Sequence, residues 1–215
     1  MEFRPFPSIP RLSRQCVITE KLDGTNASVH WVALEGFDSD APKTVLPAGD
    51  PDSFLLYRML VGSKNRLITP DDDNFGFAKW AYANVEELAK LGPGSHYGEW
   101  WGQGIQRNYG LKEKRFSLFN TKRWRDPLFD YVGLPNMEAK VQDAPACCSV
   151  VPILRVMNFC TNGVLSAMMD LAETGSRAAP GFHKPEGVVV YHTAVNWCFK
   201  KTFENDEEGK WGGHS

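Results

Sequence analysis

The chain has 215 residues, 42% hydrophobic and 23% charged, with 24 basic and 26 acidic side chains and a formal net charge of −2. This is the composition of a soluble globular protein. It excludes disorder, a collagen-like repeat, a disulfide mini-protein and a uniformly basic nucleic-acid coat. The length suggests one domain over residues 1–203, followed by a polar tail at 204–215, with no separate C-terminal domain expected.

The first residues carry Pro5, Pro7 and Pro10 and no apolar stretch, unlike a signal peptide. No run approaches the roughly 18 apolar residues of a membrane helix, so no membrane partner is expected. The cysteines are Cys16, Cys147, Cys148, Cys160 and Cys198. An odd count without C-x-x-C points to a reducing, cytoplasmic compartment and buried thiols. Neither a Walker A motif nor G-x-G-x-x-G is present, so a nucleotide must be held some other way.

Residues 16–20 and 28–34 are β-rich, and Asp23-Gly24 between them is a hairpin-type turn signal. Residues 35–52 read as a polar surface loop and 53–61 as a short strand. A loop at 69–74 ends in a helix cap. Phe77, Trp80, Ala81, Leu88 and Leu91 fall near helical spacing, which predicts one amphipathic helix over 75–91. Gly92-Pro93-Gly94 stops it. A strand at 96–101, a glycine-rich loop at 102–110 and strands at 115–120 and 151–156 follow. A helix at 164–173 and strands at 186–191 and 197–203 complete the chain. Two helices among many strands, without strict alternation, argue an α+β fold with largely antiparallel sheets.

Four constellations could carry chemistry. The segment Glu20-Lys21-Leu22-Asp23-Gly24-Thr25-Asn26 puts a lysine and two carboxylates at a tight turn, where the lysine can serve as a nucleophile. The bland alternative is a turn with a solvated lysine. Residues 96–110 hold Glu99 within an aromatic strand, where a carboxylate is costly unless it is paired or binds something. A structural Glu–Arg pair would also account for it. Residues 112–125 hold Lys112, Lys114, Arg115, Lys122, Arg123 and Arg125 with aromatics interleaved, a pattern suited to phosphate contacts and base stacking. Solvated strand ends would look the same. Glu186 opens an apolar strand, and Lys200 and Lys201 sit in the next one, where an edge strand with charged ends is the alternative.

Their order adds weight. The first segment, Ser63-Lys64-Asn65-Arg66, Tyr97-Gly98-Glu99-Trp100, Phe116-Ser117-Leu118-Phe119, Glu186-Gly187-Val188-Val189 and Phe199-Lys200-Lys201 together resemble the motif series of the covalent nucleotidyltransferases. The first segment is similar to that of the ATP-dependent RNA ligases, nearest the phage and RNA-repair branch that includes the trypanosome editing ligases. DNA ligases and capping enzymes are more distant. The resemblance runs from Glu20 to Lys201.

The resemblance implies an adenylation domain with two mainly antiparallel sheets and flanking helices around an ATP cleft. It implies that Lys21 attacks the α-phosphate of ATP to form lysyl–AMP, that AMP passes to a 5′-phosphate end, and that a 3′-hydroxyl then displaces it. By the same resemblance Glu20 accepts from the adenine amino group, Asp23 and Gly24 belong to the ATP site, and Asn26 contacts phosphates or the metal's water. Lys64, Asn65 or Arg66 contacts ribose or the 5′-phosphate, Glu99 holds the ribose hydroxyls, and Phe119 stacks on adenine. Glu186 binds Mg²⁺ or Mn²⁺ through water, and Lys200 or Lys201 grips the α-phosphate. Strand alternation allows only one of these two lysines, with Lys200 favoured. The expected partners are RNA ends, as nicked duplex or single strand, and a protein that supplies substrate grip. A DNA ligase core with the same chemistry and a non-catalytic binding module are the rival readings. Lys64 replaces the arginine of many relatives, which removes bidentate contact there.

Overall fold

The computed structural model describes residues 3–34, 41–47, 54–126 and 141–206. In chain order its elements begin β1 (Gln15–Lys21), β2 (Thr25–Ala33), β3 (Lys43–Pro47), β4 (Phe54–Ser63), β5 (Leu67–Ile68), α1 (Phe77–Ala83), α2 (Val85–Ala89), β6 (Gly94–Gly102) and β7 (Lys114–Leu118). They continue β8 (Trp124–Arg125), β9 (Gln142–Asp143), β10 (Cys148–Val150), β11 (Ile153–Asn158), α3 (Thr161–Thr174), β12 (Gly187–His192) and β13 (Trp197–Thr202). The contacts divide the chain into two compact units, Met1–Lys21 with Pro152–Ser215, and Leu22–Val151.

The first unit is an antiparallel sheet in the order β11-β1-β12-β13, covered by α3. Alternation along β1 and β12 sends Cys16, Ile18, Val188 and Val190 to one face. There they meet Val164, Ala167, Met168 and Leu171 of α3, spaced by three and four residues so that they share one helix stripe. Gly175, at φ 82°, ends this helix.

The second unit is a larger sheet in the order β10-β7-β6-β2-β4-β3, with β5 on β4. Its pairs are antiparallel except for β10 with β7, and the separate β8–β9 ribbon is also parallel. Val29, Trp31, Met59, Val61, Trp100, Phe116 and Leu118 form the covered face, against Phe77, Ala78, Ala81 and Leu88 of the two helices. Trp31 Nε1 donates to the Leu88 carbonyl at 2.9 Å, so even the buried indole nitrogen is satisfied. The Asp73 carboxylate accepts the amides of Ala78 and Lys79 at the start of α1.

The α+β class and the antiparallel preference are as expected from the sequence. Four details differ. β1 and β2 do not form a hairpin: β1 belongs to the four-stranded sheet and β2 to the larger one, and Asp23-Gly24 carries the chain from one to the other. Part of the expected 35–52 loop is the edge strand β3, where Leu46 opposes Leu55 and buries its side chain. The remaining 35–40 and 48–52 lie outside the described residues. The expected helix over 75–91 is two helices. Asn84 interrupts it, its Nδ2 donating to the Trp80 carbonyl at 2.8 Å, which competes with the helical ladder. The expected strand at 151–156 begins only at Ile153, as β11, after Pro152, which has no N–H to donate, while the preceding β10 ends at Val150 and joins the other sheet. The tail beyond Asp206 also lies outside the described residues. Among the described residues no helix is long and apolar enough to cross a membrane.

Candidate active site

Lys21 is the last residue of β1, and its Nζ donates to Glu186 Oε2 at 2.6 Å. Both side chains are largely buried, at 22% and 17% exposed. Glu186 stands just before Gly187, and Gly187 pairs with Lys21 on one side and Thr202 on the other. Gly187 has φ 152°, and a Cβ there would lie 2.2 Å from the Lys201 carbonyl oxygen, so only glycine lets the strands approach beside the lysine.

The register sorts the charged residues by face. Residues directly opposite across a sheet point the same way. Thr19, Val189 and Lys200 form one row, and Glu20, Val188 and Lys201 the next. Alternation therefore sets Lys200 on the face of Lys21, with Lys201 and Glu20 on the face covered by α3. Lys200 is exposed. Lys201 donates to Asp206 Oδ2 at 2.6 Å, and Asp206 Oδ1 accepts the Thr202 amide at 3.0 Å. Lys201 thus anchors the chain that follows β13.

Glu20 is only 1% exposed, and its Oε2 accepts the amides of Arg177 and Ala178 at 2.8 and 3.1 Å. Burial pushes its carboxyl above the usual range, while the Ser176 hydroxyl and these two amides pull the other way. Oε1 is buried without a hydrogen-bond partner of regular geometry. The residue has a loop-holding task that its sequence position did not announce.

The second unit holds the remaining candidates. Glu99, 7% exposed, accepts the Gly24 amide at 3.1 Å through Oε1 and Asn26 Nδ2 at 3.2 Å through Oε2. A Cβ on Gly24 would sit 2.4 Å from the Trp100 carbonyl oxygen, so the turn needs glycine for close approach. Asp23 pairs with Arg107 Nε at 2.9 Å, and its amide donates to the Tyr109 hydroxyl at 2.8 Å. Arg107 and Tyr109 drew no role from the sequence. Three residues in their loop, Gln106, Asn108 and Tyr109, sit at φ 42°, 60° and 52°. Non-glycine residues in this region store strain that the surroundings must hold. The clue lay in the glycines around them, Gly104 and Gly110.

Phe119 is 42% exposed and follows β7, where alternation sets it with Ser117 and Glu99. Phe116 is fully buried against Phe77 and Trp80. Lys64, Asn65 and Arg66 form the exposed turn between β4 and β5, where Arg66 pairs with Asp72.

The basic stretch is largely engaged within the protein. Lys114 donates to the Phe75 carbonyl, Arg115 pairs with Glu113 and Arg125 with Asp143. Arg123 donates to the Leu91 carbonyl at 2.6 Å and lies over the Trp124 ring at 4.7 Å. Lys112 and Lys122 are exposed. Among the described residues no cluster of three His, Cys, Asp or Glu could cage a metal.

The family model described as RNA ligase matches residues 14–205. Similar solved structures are point mutants of Naegleria gruberi RNA ligase. One is apo, 21% identical, covering 92% of this chain and 52% of that chain, with a TM-score of 0.51. Another, with ATP and Mn, is 20% identical over 92% and 52%, with a TM-score of 0.52. A third, with AMP and Mn, is 20% identical over 93% and 53%, with a TM-score of 0.51. At these identities the likeness establishes a shared fold. The chain spans about half the length of those structures. No curated protein matches the sequence.

Proposed function

The chain belongs to the RNA ligase family, and from that premise we propose that it is an ATP-dependent RNA ligase, joining a 3′-hydroxyl to a 5′-phosphate through lysyl–AMP on Lys21. The observation that carries this reading is the end of β1, where Lys21 Nζ is held on Glu186 Oε2 at 2.6 Å with Lys200 on the same sheet face. Nucleotidyl transfer needs an aimed nucleophile and positive charge at the phosphate more than any other device. Lys21 Nζ forms the bond to the α-phosphorus and pyrophosphate leaves. Glu186 aims the amine, and Lys200 meets the α-phosphate. A 5′-phosphate oxygen of the RNA then takes the AMP from Lys21, and the 3′-hydroxyl displaces it.

Phe119, half exposed, is the face for adenine. Glu99, which holds the Gly24 amide and Asn26 Nδ2, is the residue for the ribose hydroxyls. Glu20 holds the Arg177–Ala178 loop through its Oε2. Magnesium or manganese, when bound, neutralises phosphate charge. A single carboxylate with waters and phosphate oxygens suits it, and Glu186 is the residue that would hold it. The exposed Lys112 and Lys122 are the contacts for the RNA backbone.

The test is incubation with labelled ATP or GTP, then with nicked RNA, DNA and mixed duplexes. The protein should gain one AMP on Lys21, and Lys21→Arg should gain none, because a guanidinium stays protonated. An adduct on another residue overturns the assignment. Sealing of DNA alone would make the chain a DNA ligase core, and absence of any adduct would make it a binding module.

A further inference from the structure

Cys147 and Cys148 are adjacent in sequence, half-buried against the core of the second unit, and take no part in the reading above. Consecutive side chains of a regular strand point to opposite faces. Here Cys147 lies in the turn that leads into β10, closed by the Cys148 amide donating to the Pro145 carbonyl at 2.8 Å. The turn brings both thiols to one side, with the sulfurs 3.8 Å apart. The turn is fixed further where the Ala146 amide donates to Glu87 Oε2 at 3.1 Å. β10 then runs parallel to β7, with Cys148 opposite Phe116 and the Ser149 and Ser117 hydroxyls 2.6 Å apart.

We propose that Cys147 and Cys148 form a peroxide-reactive dithiol, a modification site separate from the ligation residues, which closes reversibly to a vicinal disulfide. The two thiols have different tasks. The hydrogen bond from Cys148 pulls the Cys147 thiol down, against burial and the Glu87 charge. The same hydrogen bond, then burial, pushes the Cys148 thiol up. Cys147 therefore supplies the thiolate, which attacks one oxygen of a hydroperoxide. A sulfur–oxygen bond forms, the oxygen–oxygen bond breaks, and the departing oxygen takes a proton and leaves as an alcohol, or as water from hydrogen peroxide. Cys148 sulfur then attacks the Cys147 sulfenic acid. The sulfur–sulfur bond forms, the sulfur–oxygen bond breaks, and the Cys148 proton leaves with the hydroxide as water. The peroxide takes two electrons and the thiol pair loses two.

The geometry also favours reversal. Adjacent Cα atoms are about 3.8 Å apart, below the roughly 4.4–6.8 Å usual for a disulfide. A bridge here is strained, and strained disulfides are readily reduced. The remaining cysteines offer no such pair. Cys16 is buried, and Cys160 and Cys198 are exposed single thiols.

The test treats the full chain with hydrogen peroxide, blocks free thiols and maps tryptic peptides. Residues 141–155 form one peptide that holds both cysteines. It should become roughly 2 Da lighter, the loss of two hydrogens, and return to its original mass with dithiothreitol. Cys148→Ser should stop at a Cys147 sulfenic acid that dimedone captures, while Cys147→Ser should lose the rapid reaction. Cys160→Ser and Cys198→Ser should change neither outcome. A thermal melt of each variant confirms that it is folded. The proposal is overturned if oxidation yields only sulfinic or sulfonic acid, if Cys147 bridges to another cysteine or another chain, or if Cys147→Ser reacts as fast as the parent.

Discussion

Tyr109→Phe removes one oxygen atom and tests how the turn after Lys21 is held. Tyr109 is 2% exposed, and its hydroxyl accepts the Asp23 amide at 2.8 Å. With so little exposure at the ring, water is not at hand to replace that acceptor. Leaving such a donor unsatisfied costs about 1–3 kcal/mol. For a protein of this size each kcal/mol lowers Tm by about 2–4 °C, so a fall of roughly 2–12 °C is expected. The Asp23–Arg107 pair stays in place, so the fold should survive. Asp23 is two residues from Lys21 in the chain, and a displacement near 1 Å can cost about a hundredfold in rate. Single-turnover formation of lysyl–AMP should therefore slow by about ten- to a hundredfold, with little change in ATP affinity. Differential scanning calorimetry and a quenched-flow assay with labelled ATP read the two effects. A Tm within about 1 °C of the parent together with an unchanged rate would refute the idea that this hydrogen bond places the turn.

Three further outcomes follow from the same geometry. Lys200→Ala should reduce lysyl–AMP formation far more than Lys201→Ala, because Lys200 shares the face of Lys21 and Lys201 is paired with Asp206; equal losses in the radiolabel assay would contradict the parity argument. Phe119→Ala should weaken ATP binding by about 1–3 kcal/mol, the scale of a lost stacking contact, while Phe116→Ala should destabilise the fold by about 3–5 kcal/mol; calorimetric titration and denaturant unfolding separate them, and an unchanged ATP affinity in Phe119→Ala would return that residue to packing. Burial pushes His96 below the usual imidazole value, opposed by its bond to the Gly92 carbonyl. The unfolded chain then binds the proton first, so stability should fall as pH drops through about 6.5, and His96→Asn should flatten that part of the melting profile between pH 7.5 and 5.5; an unaltered profile would remove His96 as its source.

The sequence by itself determined the strand-rich α+β class, the β-rich runs of β1 and β2, a helix where α3 lies and the order of the motifs. Each of these is written in short-range patterns: alternation, three-and-four spacing, or residue types a few positions apart. It also indicated Lys21 and Glu186, because a charge at an apolar strand's end stands out in any window. What it could not supply was pairing. Asp23-Gly24 has the same local chemistry whether it closes a hairpin or passes the chain between sheets. Only the partners of β1 and β2, more than a hundred residues away for β1 and several tens for β2, decide which. Lys200 and Lys201 are indistinguishable as neighbours until the register with β12 and β1 assigns each to a face. Arg107 and Tyr109 acquire their task from Asp23, 84 and 86 positions distant. The basic run at 112–125 shows the reverse case, since Lys114, Arg123 and Arg125 are drawn onto carbonyls and a carboxylate that tertiary packing brings to them. Local propensity is a property of neighbouring residues, whereas a site is made by groups far apart in the chain that the sheets bring within hydrogen-bonding distance.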